Sequence, residues 1–342
     1  MNKAGKIISV NPPYAIEGGE ISIECEGFQL SSEGDYACFI GVKRARLIGA
    51  SESRVLAIVP ADLKTSETEI YLESDGERSA AFNYTIGKKL ADDLHIVANP
   101  TIDPRDDSII VTRSGSRGQY LPVTMFRLEA DGYLNEMPAE ILNPTAVAFS
   151  RSGNLYATNR SDGEVCRINR DEEVVPYATG LGIATGIAFD KEDVMYVGDR
   201  SGTIYRVKEF GSHEAFSLLE PSVSAYHLAF GANGKLYATA PGLASFDSVY
   251  VIDEEGYEEK YSRGFGRPQG LAFDREGNLY VAACFQGKHG IARITPNAES
   301  TEMFVAGMSV VGLCFTRKGE MIVATNDSVY SIPVGIYGTL LD

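Results

Sequence analysis

The 342-residue chain has no tryptophan, only four histidines and only five cysteines. Cys25, Cys38, Cys166, Cys284 and Cys314 are widely spaced and never form a CxxC pair. That spacing offers neither a structural zinc site nor a thioredoxin-type redox motif. Each cysteine lies in or beside an apolar run, where a reduced thiol serves as a small hydrophobe, and Cys284 stands at a strand end after LYVAA. His95, His213, His227 and His289 never fall at HxH or HxxxH spacing, which excludes a local histidine metal cluster. No apolar run approaches the roughly 18 residues of a membrane-spanning helix. The opening MNKAGKIISVNPPY breaks its short apolar stretch with Asn-Pro-Pro and does not read as a signal peptide. A reducing, cytoplasmic location is the expectation, with export left open if the natural N-terminus has been trimmed. Basic residues are also scarce, 31 against 47 acidic, for a formal charge of −16. This argues against nucleic acid, which needs a basic footprint, and against anionic membranes as partners. The apolar share of 44% excludes a disordered chain.

What the chain does have is alternation. Residues 1–86 hold short period-2 runs such as ISIECEGF (21–28) and EIYLES (69–74), punctuated by Gly18-Gly19 and Ser74-Asp75-Gly76. About seven strands in this length predict a small β-sandwich. Pro12-Pro13, Gly18-Gly19, Gly27-Phe28, Phe39-Ile40-Gly41, Val59-Pro60 and Phe82-Asn83-Tyr84 occur in this order. The set resembles an IPT/TIG domain, an immunoglobulin-like module, which implies a spacer or interaction role for residues 1–88.

The remainder repeats. TAVAFSRSGNLYATN, TGIAFDKEDVMYVGD, YHLAFGANGKLYATA, QGLAFDREGNLYVAA and VGLCFTRKGEMIVAT align Phe149, Phe189, Phe230, Phe273 and Phe315 at spacings of 40, 41, 43 and 42. NPTIDPRDDSIIVTR is a degenerate sixth copy. A period near 40 with several short strands per unit predicts a β-propeller, here six-bladed over residues 89–342. The segment 94–99 is expected to close the ring as the outer strand of the last blade. The fold class is therefore all-β, an immunoglobulin-like sandwich followed by a six-bladed propeller. The phrase Arg267-Pro268-Gln269-Gly270 through Val281 resembles NHL-repeat and gluconolactonase-like propellers, the relatives of senescence marker protein.

Strand alternation puts the loops between blades and the loops after each second strand on one face, the top. Thr101, Thr145, Thr185, Tyr226, Gln269 and Val311 open the inner strands there, and Arg113, Asn159, Asp199, Ala240, Ala283 and Thr325 end the second strands. TRSGSRG, TNRSDG and GDRSG make one side of this mouth arginine-rich, with Arg113, Arg117, Arg160 and Arg200. One reading treats these arginines as solvated flanks of turns. The other has them converge on a carboxylate or phosphate, which the planar guanidinium fork suits, with Tyr120 and Tyr226 to stack on the ligand. Arg113, Tyr120, Asn159, Arg160, Asp199, Arg200, Tyr226 and Gln269 are the candidate binding residues.

The gluconolactonase resemblance implies a divalent cation held by acidic and asparagine side chains at the starts of inner strands. Those phrases here read Ala184-Thr185-Gly186, Ala225-Tyr226-His227 and Pro268-Gln269-Gly270, without carboxylates. No cofactor is therefore expected, and calcium is left only Asp199 and Asn159 as weak ligands. A resemblance to streptogramin-lyase propellers implies a histidine base, for which His227 and His289 are candidates beside Asp199. The leading expectation is recognition of a small polar or anionic ligand, such as a sugar acid, or of a protein partner. The alternative is a lactonase-like hydrolase or lyase.

Overall fold

The computed structural model describes residues 3–30, 34–115, 119–129, 132–138, 141–243 and 246–340. Strand alternation in the first 86 residues produces two sheets. One orders Lys6–Asn11, Glu20–Glu26, Arg54–Ile58 and Arg46–Ala50; the other contains Phe82–Ile86, Glu67–Ser74 and Tyr36–Ile40. In Glu20–Glu26 every second residue is buried, as one face against a core requires. Ile21, Ile23 and Cys25 from the first sheet share that core with Cys38, Ile40, Ile70 and Leu72 from the second.

The repeats form six four-stranded antiparallel blades, of which blades four and five are joined in one larger sheet by the pairing of Phe265 and Gly266 with Phe285 and Cys284. Their inner strands are Thr101–Ile102, Pro144–Phe149, Ala184–Phe189, His227–Phe230, Leu271–Phe273 and Val310–Phe315. The second strands are buried on both faces, as in Leu155–Asn159 and Met195–Asp199, because each sheet is flanked by two others. The aligned Leu-Tyr and Ala-Phe phrases have a clear structural role. Tyr156, Tyr196, Tyr237 and Tyr280 pack on Phe189, Phe230, Phe273 and Phe315 of the following blade, with ring centroids 5.4, 5.1, 4.8 and 5.2 Å apart. Each such pair contributes about 0.5–1.5 kcal/mol beyond its area. Blade one lacks the pattern. There the fully buried Asp103 binds Arg105 and Arg127 instead.

The ring closes differently from the expectation. The outer strand of blade six is Lys88–Ala91, paired antiparallel with Val329–Pro333, and not 94–99. Residues 94–99 instead cross back toward the centre. Leu94, Ile96 and Ala98 are buried, and the Leu94 and Ile96 amides bond to the carbonyls of Asp327 and Asn326. Asn99 then bridges two inner strands, donating to the Leu271 carbonyl and accepting from the Leu313 amide. The closing strand thus begins directly after the first 86 residues, at Lys88.

The two parts are stitched together by backbone. Tyr14–Ala15 pairs parallel with Phe82–Ile86 on one side and with Thr301–Ala306, the outer strand of blade five, on the other. Ile16 follows and is buried among Phe304, Val305, Val310 and Ile332. A Cβ on Gly87 or Gly307 would stand 2.7 Å from the Ile16 side chain, so glycine at both positions admits the knob. Glu17 completes the joint, bonding to Lys89 of the closing strand and Tyr330 of blade six. All five cysteines are free, and burial pushes the Cys38 and Cys166 thiols up to about 12.

Candidate functional site

In every blade the chain runs down the inner strand and back up the second, so the loops carrying Arg113, Arg160 and Arg200 lie on one face. The turns carrying Asp190, Asp253 and Asp274 lie on the other. Those aspartates hold their own turns, each accepting backbone amides two and four residues on. Part of the acidic excess is therefore hairpin architecture.

The top loops form a hydrogen-bonded arc from blade one to blade four. Ser114 donates to the Pro144 carbonyl, and Asn143 donates to Ser161. The Leu181 amide bonds to the Gly163 carbonyl, and the Arg200 amide to the Ile183 carbonyl. Ser222 and Val223 both bond to Pro241 at the start of the blade-four loop. This backbone arc fixes the arginines. The Arg200 guanidinium donates to the Val223 carbonyl at 3.1 Å, while its Nε is buried without a partner among the described residues. Arg160 is half-buried. Burial, then the neighbouring positive charge of Arg200, lowers its pKa from the ordinary guanidinium value. Among the described residues, neither side chain forms an ion pair. Arg113 rests 6.0 Å from the Phe126 ring centroid. Arg117 lies outside the described residues.

The other candidates separate from this pair. Asn159 and Asp199 are buried loop anchors. Asn159 donates to Asp162 and Glu164 and accepts the Ser161 amide. Asp199 accepts the Ile183 amide at 2.7 Å and the Ser201 hydroxyl. Their oxygens are committed to backbone and hydroxyl donors, and no group of three or more His, Cys, Asp or Glu converges among the described residues. This donor set does not fit the divalent cation of the gluconolactonase resemblance. Tyr226 is only 1% exposed; it packs against Gly198, its amide donates to the Thr185 hydroxyl oxygen and its hydroxyl donates to the Glu220 carbonyl, so it offers no stacking face. Gln269 is half-buried, its backbone pinned by Thr239 and Ala282. Tyr120 is exposed at the rim.

His227 is enclosed on an inner strand, its Nε2 without a partner among the described residues, and burial pushes its pKa down to about 4. A base that weak and that enclosed is poorly matched to proton abstraction near neutral pH. His289 is exposed on a third strand, opposite Cys284. His95 is exposed too, in a left-handed conformation with its carbonyl bound by Ser114, and not on an outer strand.

The residues that sequence reasoning missed are apolar. Leu142, Ile183, Val223 and Met308 recur six or seven positions before the aligned phenylalanines, and all four side chains are exposed on the top face. The repeat register contains that signal, but attention to charged and aromatic types passes over it.

No family model matches the chain, and no curated protein does. Solved structures do. An auxiliary nutrient binding protein from Bacteroides ovatus superposes with a TM-score of 0.57 at 13% identity, over 97% of this chain and 99% of that one. A gluconolactonase from Xanthomonas campestris gives 0.59 at 13%, over 72% and 88%. A virginiamycin B lyase from Staphylococcus aureus gives 0.54 at 15%, over 92% and 99%. The structural neighbours are thus gluconolactonase-like and streptogramin-lyase-type β-propellers, and likeness at this identity establishes the fold alone.

Proposed function

We propose that this protein is a recognition propeller that binds a small anionic ligand on its top face, at Arg160 and Arg200. One observation carries the reading: two adjacent, partly buried guanidiniums lack a carboxylate partner among the described residues of a chain of net charge −16. Burying like charges together is costly unless an anion compensates, and a chain with 47 acidic residues has ample means to supply one internally. A carboxylate bridging the pair would relieve both the desolvation and the repulsion. Binding without turnover is in keeping with a neighbour described as nutrient binding. The N-terminal sheets belong, in this reading, to an IPT/TIG-type immunoglobulin-like module that braces blades five and six. The hydrolase and lyase alternatives are less well supported, because Asp199 is spent on loop anchoring and His227 is enclosed.

The test is calorimetric titration and thermal shift with glucuronate, galacturonate, glucose and calcium. The uronates should bind and raise Tm with concentration, whereas glucose should not. Arg160→Ala should weaken uronate binding by about tenfold or more, the worth of a charged hydrogen bond. Stabilisation by calcium that disappears in Asp199→Ala, with uronates inert, would instead favour the hydrolase.

A further inference from the structure

The guanidinium pair is embedded in apolar surface. Following the hydrogen-bonded arc, the order is Leu142, Arg160, Ile183, Arg200 and Val223, with Leu243 beyond Pro241 in the next loop. Leu142, Ile183 and Val223 are each 40–43% exposed, and Leu243 is 95% exposed. Isolated exposed hydrophobes are ordinary, but large apolar side chains held on one rigid arc around a charge pair are not scattered. Loops between blades are free to be polar. Here the same loop position is apolar before blades two, three, four and six, and arginine before blade five, at Arg267.

We infer that the ligand of this rim is an amphipathic monoanion: a carboxylate carried on an aliphatic or aromatic body of roughly six to ten carbons. The carboxylate lies between Arg160 and Arg200, and the body covers Ile183 and Val223. This rests on the anion-binding reading above and names its ligand class. Charge complementarity selects a small molecule over a protein segment. The cationic centre is confined to two adjacent side chains, and a chain of net −16 repels a polyanionic partner at long range while a monoanion is little affected.

The experiment titrates the full chain calorimetrically with acetate, butanoate, hexanoate and octanoate, with glucuronate and with a Leu-Glu repeat peptide, all at fixed ionic strength. Affinity should rise about twofold per methylene, half the roughly fourfold expected for a fully buried one. Octanoate should then bind at least tenfold tighter than acetate. Ile183→Ser and Val223→Ser should weaken octanoate about fivefold each and leave acetate and glucuronate unchanged. The double substitution Arg160→Ala, Arg200→Ala should weaken every carboxylate about tenfold or more. The chain-length series on the unaltered protein stands even if a variant misfolds. Glucuronate and acetate binding as tightly as octanoate would overturn the apolar body and leave the anion site standing. No carboxylate binding at all would overturn both. A repeat peptide binding tenfold tighter than octanoate would overturn the small-molecule occupant.

Discussion

His227 stands where blades three, five and six carry Gly186, Gly270 and Gly312. Its enclosed imidazole, held down to about 4, is neutral at pH 7 and must be charged to satisfy the unfolded chain below about 6.5. The folded state therefore binds fewer protons than the unfolded one between these values. Stability is full above about 6.5 and declines as the pH falls toward about 4, by up to about 3 kcal/mol from this group alone. His227→Leu should flatten that slope in urea unfolding measured at pH 7, 6, 5 and 4; an unchanged slope would mean that the ring reaches solvent. The same residue shows why single side chains were hard to read. A histidine in a repeat phrase is equally compatible with catalysis and with packing, and only burial separates them. Tyr226 is a similar case: the register placed it at the mouth, but its ring turns inward against Gly198.

At the scale of the strand, the repeat was legible because one physical device generates it. In blades two to five a tyrosine on the second strand lies between the next blade's phenylalanine and an aromatic ring on its own outer strand, as Tyr237 does between Phe273 and Tyr261. Tyr237→Ala removes both ring contacts and should cost about 3–5 kcal/mol. Tyr237→Phe keeps them, losing only the hydrogen bond from Asn233, and should cost about 1 kcal/mol. Chemical denaturation of the two variants checks the contrast, and equal costs would assign the tyrosine's value to its hydroxyl. Blade one was faint in the sequence for the converse reason. Asp103, Arg105 and Arg127 join its strands by charge, and ion pairs have no fixed phrase. The closing strand was misplaced because LHIVAN is the more apolar of two neighbouring segments. Greater apolarity sends it into the interior, while an outer strand with one edge in water suits KKLA.

Across the whole molecule, blades four and five and the N-terminal sheet that contains Phe82–Ile86 share one continuous hydrogen-bonded sheet, a consequence that two separate domain signatures in sequence do not imply. Ile16→Ala should cost about 2–5 kcal/mol and should speed amide exchange in Lys88–Ala91, because Glu17 leaves Lys89 when the joint loosens. Exchange accelerated only within the first 86 residues would show the two parts to be independent. At the top face, the charge pattern of the mouth was readable from TNRSDG and GDRSG. Its apolar half was not, since an isoleucine in a loop carries no motif.

Lys88–Ala91 is also a matter of timing. The ring is closed by pairing one strand with Val329–Pro333, which is made well after it. With about 240 residues between them and synthesis at roughly 5–20 residues per second, the strand waits some 10–50 s on the ribosome for its partner. Its backbone edge is open for that whole interval. Lys88 and Lys89, two cations in an otherwise acidic protein, are the residues best suited to keep such an edge from joining a neighbouring nascent chain. Their charge protects the protein before it is folded, and Lys89 then passes into the bond with Glu17 that holds the finished molecule together.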